Sequence, residues 1–211
     1  MNQAEALAMV RTMAEMQDHH NRQVHPQWRE QGYAYYRAVW VECAELLDHF
    51  GWKWWKHQPP DLDQVKLEIV DIWHFGLSDL MRAGTLDDKV SERLVSASEN
   101  TPEPDADAFR LAVEDLAQET LRSRMFATEP FAQVLRALPL PLDELFRMYV
   151  GKNVLNNFRQ DHGYKTGEYR KLWHGREDNE HLVEVLNGLD CAPEDVPKRV
   201  YEQLRYRYSV A

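Results

Sequence analysis

The sequence is poor in cysteine, in glycine and in long apolar runs, and each shortage excludes a class of protein. Its 211 residues include only two cysteines, Cys43 and Cys191, which cannot form a disulfide framework and are typical of free thiols in a reducing compartment. No apolar run reaches the roughly 18 residues that a membrane span requires. Nine glycines and little strict polar–apolar alternation favour an all-α protein.

Positive charge is also in deficit. The chain carries 25 lysines and arginines against 35 aspartates and glutamates, a formal net charge of −10. This balance argues against a general nucleic-acid binder and against a protein of the membrane surface. The first five residues lack a basic region followed by an apolar one, so we expect no secretory signal. We therefore expect a cytoplasmic protein whose partners include neither nucleic acid nor membrane.

The spacing of apolar residues predicts a series of helices joined by short breaks. Gly51 is placed to end the second helix, and Asp61, with Gln64 three residues later, is placed to cap the third. The composition of residues 99–107 predicts a linker. The predicted helices cover residues 3–22, 27–50, 61–82, 86–98, 107–123, 129–137, 141–160, 177–188 and 194–208. We expect a helical catalytic core formed by residues 1–84 and 141–211, with residues 85–140 as a helical insert or mobile sub-domain.

Two pairs of carboxylates carry the chemistry of the predicted bundle. Glu42 and Glu45 lie three residues apart on one helix, and Glu68 and Asp71 do so on the next. Antiparallel packing of these helices would point four carboxylates into one space, where they repel one another unless a cation lies between them. Either pair alone is typical of a solvated helix face. Two pairs across one turn, with the second at the edge of an apolar stripe, predict a metal site suited to Mg²⁺.

A basic island follows later in this acidic chain. Residues 152–173 contain five lysines and arginines against two acids, and Lys152, Asn156 and Arg159 share roughly one helical face. These cations could pair with surplus surface acids, or they could bind the phosphates of a nucleotide. An acidic cluster for metal together with a basic cluster for phosphate is typical of a nucleotide hydrolase.

The aromatic residues and one histidine admit several interpretations. Trp52, Trp54, Trp55 and Trp73 could belong to the core or to a dimer interface, or could stack against a base. His74 could be structural, could bind a metal, or could donate to a base carbonyl.

Together these motifs resemble the dimeric all-α dUTPases of the all-α NTP pyrophosphohydrolase superfamily. The superfamily pattern E-x-x-E, spacer, E-x-x-D is present as Glu42-x-x-Glu45 and Glu68-x-x-Asp71. The dUTPase branch is indicated by Trp-Lys-Trp-Trp-Lys at 52–56, by Asp-Ile-Trp-His-Phe at 71–75, and by the run at 151–165 followed by Trp173 and Glu-Asp-Asn at 177–179. The resemblance covers residues 16–82 and 149–180.

The resemblance implies a role for each matched residue. Glu42, Glu45, Glu68 and Asp71 would hold two or three Mg²⁺ ions, for which Mn²⁺ could substitute. One of Glu42 and Glu45, with Glu45 favoured, would also activate the attacking water. The residues expected to bind the phosphates are Lys152, Arg159, Tyr164, Lys171 and Asn179. Those expected around the uracil and deoxyribose are Gln17, Asn21, His74 and Asn156, with Trp54 packing nearby.

We therefore expect a homodimeric enzyme that hydrolyses dUTP, and also dUDP, to dUMP, releasing pyrophosphate from dUTP. Such an activity limits uracil incorporation into DNA and supplies dUMP. Three alternatives remain open at this point. One is a pyrophosphohydrolase for another base, such as dCTP or a damaged nucleotide. Another is a redox di-metal bundle, which Asp71-x-x-His74 weakly suggests. The last is a non-catalytic, nucleotide-binding helical dimer.

Overall fold

A computed structural model gives the fold and describes residues 3–98, 103–191 and 195–209. These residues contain nine α-helices and one short β-hairpin, so the predicted all-α class is confirmed. The helices are α1 (Gln3–Val24), α2 (Tyr35–Phe50), α3 (Leu62–Ala83), α4 (Asp88–Ser98), α5 (Ala106–Ser123), α6 (Thr128–Ala137), α7 (Leu142–Asp161), α8 (Asp178–Asn187) and α9 (Val196–Ser209). The hairpin pairs β1 (Leu172–Trp173) with β2 (Arg176–Glu177) in antiparallel register.

The chain divides into two compact units, residues 1–146 and residues 147–211. The first unit holds α1 to α6. Within it, α4 packs against α1, α5 packs against α2, and α6 packs against both α4 and α5. The expected division into a core and an insert at 85–140 stays a prediction. Of the expected linker, residues 99–102 lie outside the described residues, and the last two residues belong to α5. Among the described residues, no helix is both long and apolar enough to cross a membrane.

Helix α2 begins later than the spacing predicts. A 3₁₀ turn at Trp28–Glu30 and a positive φ of 66° at Gly32 come first, and α2 starts at Tyr35. The buried Trp28 donates its indole N–H to Asp18 of α1 at 3.1 Å. Because this tertiary contact fixes the segment, helix propensity does not decide its conformation.

The predicted ends of α2 and α3 are confirmed. Gly51 follows α2 with a φ of 91° and donates its N–H to Leu47, and Gly84 closes α3 in the left-handed region. Asp61 caps α3 by accepting the Gln64 N–H at 3.2 Å. The Asp61 N–H also donates to the carbonyl of His49 at 3.0 Å, which joins the end of α2 to the start of α3. The two helices therefore run antiparallel and pack along each other.

Most side chains of α3 are buried, so this helix lies at the centre of the first unit. Trp73 stacks on Phe131 of α6 with ring centroids 5.2 Å apart. Gly76 allows Phe126 to approach closely, since a Cβ at Gly76 would lie 2.7 Å from that ring. One turn further on, the buried Asp79 accepts the Phe126 N–H at 2.7 Å. These contacts fix α3, and with it the side chains that α3 directs towards α1 and α2.

The second unit is organised around a buried aromatic cluster. Phe158 of α7 stacks on His162 at 3.9 Å and meets Trp173, Tyr201 and Tyr208 edge-on at 5.3–5.9 Å. His181 of α8 donates a hydrogen bond from Nε2 to the Trp173 carbonyl at 2.9 Å and lies against the Trp173 ring. The cluster therefore ties α7, the hairpin, α8 and α9 together.

Candidate functional site

Three of the four predicted metal-binding carboxylates meet between α2 and α3. Glu42, Glu68 and Asp71 each present an oxygen, and these oxygens lie within 4.8 Å of one another. Glu68 is buried, with 4% of its surface exposed, while Glu42 and Asp71 are half-buried. The antiparallel packing of the two helices produces this convergence, because Glu42 and the Glu68/Asp71 pair lie about equally far from the connection between the helices.

Burial and neighbouring acids raise the pKa of Glu42 in this cluster. Burial, followed by the negative charge of Asp71 and a hydrogen bond with Glu68, raises the pKa of Glu42 to about 9. Without a cation, Glu42 therefore keeps its proton at neutral pH. Three converging carboxyl groups are hard oxygen donors, a donor set that fits a divalent cation such as Mg²⁺.

Glu45 lies one turn after Glu42 on α2 and is exposed. It is not among the three residues whose oxygens converge, although its charge contributes to the raised pKa of Glu42. Its expected role as a metal ligand stays a prediction.

Two histidines flank the cluster. His74 is buried, and its Nδ1 lies 2.9 Å from the Val70 carbonyl and 3.8 Å from Asp71. Because a carbonyl only accepts, Nδ1 carries the hydrogen in this contact. His49, which the sequence reasoning missed, places Nε2 3.7 Å from Glu68. His49 follows Glu42 by seven residues, and that helical spacing could have indicated it.

Gln17 and Asn21, the amides predicted to contact uracil, lie together on α1. Both are buried, and Gln17 Nε2 donates to Asn21 Oδ1 at 3.1 Å. Both amide nitrogens also lie within 3.1 Å of the hydroxyl of Ser78 on α3. Ser78 was not predicted; it follows His74 by four residues on α3, but its contacts with α1 come from tertiary packing that local spacing does not show.

Trp54, also predicted near the base, is 90% exposed in the connection between α2 and α3. It lines a surface cleft of about 360 Å³ together with Trp52, Lys53, Lys56 and Arg110. The structure thus places Trp54 among aromatic and basic side chains on the surface of the first unit.

In the second unit, four of the predicted substrate-binding residues belong to one hydrogen-bonded network. Lys152 is 2% exposed and donates to Asn179 Oδ1 at 2.9 Å. Arg159 donates to the same oxygen at 3.3 Å and to Asn156 at 3.2 Å. The remaining two, Tyr164 and Lys171, lie on exposed segments of the same unit, and Lys171 pairs with Glu177 at 3.1 Å.

Asp178, a further residue that the sequence reasoning assigned no role, anchors this network. It is fully buried and accepts two hydrogen bonds from Arg159 and one from Tyr169, all at 2.7–2.8 Å. Burial acts to raise the pKa of Asp178, but the hydrogen bonds and charge of Arg159 outweigh it and hold the pKa below its usual range. Arg159 binds this carboxylate directly, and the charge of Lys152 also lowers the pKa of Asp178. Cationic donors of this kind bind anions such as phosphate.

Comparison with known proteins gives the family of this chain. A family model described as dUTPase matches residues 9–164. The chain therefore belongs to the dUTPase family of all-α proteins, and it is an enzyme that hydrolyses dUTP, a dUTP diphosphatase. No curated protein matches the chain.

We predict that Glu42 makes the metal-free protein less stable as the pH rises. Its folded pKa of about 9 exceeds the ordinary 4.5, so between those values the unfolded chain releases a proton that the folded protein keeps. Thermal unfolding in EDTA should show Tm falling from about pH 5 to pH 9, by about 2–4 °C for each 1 kcal/mol lost. Glu42→Gln should flatten this decline, whereas Glu202→Gln, at an exposed surface pair, should not. Equal slopes in all three proteins would contradict the prediction.

We also predict that Asp178→Asn destabilises the protein by roughly 2–4 kcal/mol, because it removes the buried charge that accepts two hydrogen bonds from the partly buried Arg159. Urea unfolding gives the free energy directly. Glu202→Gln removes a charge from the exposed pair with Arg199 and should change stability by less than about 0.5 kcal/mol. An Asp178→Asn protein as stable as the Glu202→Gln control would show that the network does not depend on this carboxylate.

Proposed function

We propose that the protein hydrolyses dUTP to dUMP and pyrophosphate in a Mg²⁺-dependent reaction, and that it also accepts dUDP. The observation that carries this proposal is the convergence of Glu42, Glu68 and Asp71 between α2 and α3. Membership of the dUTPase family supplies the substrate class. In the cell this reaction would limit uracil incorporation into DNA and supply dUMP.

The three converging carboxylates, together with Glu45 from the next turn of α2, would hold two or three Mg²⁺ ions, with Mn²⁺ as a substitute. When bound, the metal lowers the pKa of a coordinated water and neutralises charge on the phosphate oxygens. The buried Glu68 is suited to be a fixed ligand because burial restricts the rotamers of its side chain.

A carboxylate next to the cluster would take the proton of the attacking water. The water oxygen forms a bond to phosphorus, and the bond from phosphorus to the bridging oxygen breaks, which releases pyrophosphate from dUTP. We assign the proton to Glu45 or Glu42 and favour Glu45, since its exposed position on α2 allows it to exchange that proton with solvent.

The remaining predicted residues would bind the nucleotide. In the second unit, the cationic network supports phosphate binding by Lys152, Arg159, Tyr164, Lys171 and Asn179. The amide and imidazole groups proposed for the uracil and deoxyribose are Gln17, Asn21, His74 and Asn156, with Trp54 adjacent. Asn and Gln can match both donors and acceptors of a base edge, which supports their assignment to recognition.

We further propose that the enzyme acts as a homodimer in the cytoplasm. The resemblance to dimeric dUTPases supports the dimer, and the exposed Trp40 and Trp55 are compatible with an interface. The two cysteines are free thiols, as expected in a reducing compartment.

Turnover of dUTP, dUDP, dCTP, dTTP and UTP by the purified protein, with and without Mg²⁺, tests this proposal. We expect pyrophosphate release from dUTP but not from the other triphosphates, and dependence on added Mg²⁺. Glu68→Gln should lower kcat/KM by about 100-fold or more, because it removes a ligand charge from the cluster, while Glu202→Gln should retain full activity. Preference for another nucleotide would overturn the base assignment. Activity that does not depend on a divalent cation would overturn the role of the carboxylates.

A further inference from the structure

Ser78 occupies a position from which it controls both amides proposed to recognise uracil. It is fully buried on α3, and its hydroxyl lies 3.1 Å from Gln17 Nε2 and 2.9 Å from Asn21 Nδ2, both on α1. The same hydroxyl donates to the carbonyl of His74 one turn earlier, at 2.9 Å. One small side chain therefore contacts the three residues proposed to face the base from α1 and α3.

A hydroxyl has one hydrogen to donate and two lone pairs to accept with, and this decides which end of each amide faces Ser78. A serine has one hydrogen to donate, and here it goes to the His74 carbonyl, so Oγ offers only lone pairs to Gln17 and Asn21. Only the NH₂ ends of the two amides can meet those lone pairs. The bond from Gln17 Nε2 to Asn21 Oδ1 requires the same orientation of both groups.

Reversing either amide would carry a cost in this buried setting. A reversed amide would bring its oxygen against the Ser78 oxygen, unless the hydroxyl gave up its bond to His74. Either change leaves a buried polar group without its partner. This costs more free energy than it would in water, because no solvent can replace the lost hydrogen bond. The contact with Ser78 therefore selects one of two amide orientations that are nearly equal in shape.

We infer that Ser78 is a positioning residue that makes the enzyme select uracil over cytosine, by holding the Gln17 and Asn21 amides in one orientation. This inference rests on the proposed function. Uracil offers a donor at N3 and an acceptor at O4, whereas cytosine offers an acceptor at N3 and a donor at its amino group. An amide that can reverse matches either base, and an amide that is held matches only one.

The selectivity between dUTP and dCTP measures this role. We expect Ser78→Ala to lower the ratio of kcat/KM for dUTP to kcat/KM for dCTP by roughly 10- to 100-fold, because both amides lose the acceptor that favours one orientation. Ser78→Cys should lower the ratio in the same direction, since sulfur fills the space but is a poor acceptor. Ser78→Cys therefore tests the inference even if Ser78→Ala does not fold.

Ser91→Ala is the matched control. Ser91 is equally buried, on α4, and its hydroxyl also donates to a backbone carbonyl, that of Asp88 at 2.7 Å. We expect this variant to leave the ratio unchanged even where it lowers Tm. A loss of stability alone would reduce turnover of both nucleotides together, so the ratio separates positioning from packing.

The outcomes distinguish this inference from the proposed function. A wild-type protein that selects dUTP, with Ser78 variants that select it equally well, overturns the inference and leaves the proposed function intact. A wild-type protein that does not select dUTP over dCTP overturns the base assignment and the inference with it. A ratio that falls as much in Ser91→Ala as in Ser78→Ala also overturns the inference.

Discussion

The repulsion among three carboxylates between α2 and α3 is the constraint on which the rest of the first unit depends. If all three acids ionised, their charges, within 4.8 Å of one another, would oppose the packing of the two helices that carry them. A proton on Glu42 relieves part of that repulsion in the absence of a cation, and other contacts hold the helices together. The hydrogen bond from the Asp61 N–H to the His49 carbonyl fixes the connection, and the close packing of Phe126 at Gly76 fixes α3. The apolar core thus keeps acids close together that would separate in a looser structure.

In the second unit the buried charges are mainly positive, and one buried acid, Asp178, lies among them. Lys152 and Arg159 would repel each other and cost solvation if buried alone. Asp178 offsets one charge, and the Asn179 oxygen accepts from both cations. The first unit therefore gathers acids and the second gathers cations around one acid, in each case with buried or half-buried side chains.

The features that spacing could predict are those encoded within one helix. The pairing of Glu68 with Asp71, the cap at Asp61 and the terminating glycines at 51 and 84 are all local patterns, and the structure confirms the caps and ends. The start of α2 was predicted too early because a buried contact of Trp28 with α1 decides that segment. Ser78 and Asp178 were missed for a similar reason: each acquires its role from partners on another element, which no local spacing reveals.

The central claim is that the carboxylates of α2 and α3 bind the divalent cation that catalysis uses. Calorimetric titration of Mg²⁺ into metal-free protein tests this directly, because it does not depend on turnover. We predict saturable binding to the wild type, weakened at least about tenfold in Glu68→Gln and unchanged in Glu202→Gln. Equal affinity in the wild type and Glu68→Gln would contradict the claim and would place the cation elsewhere on the protein.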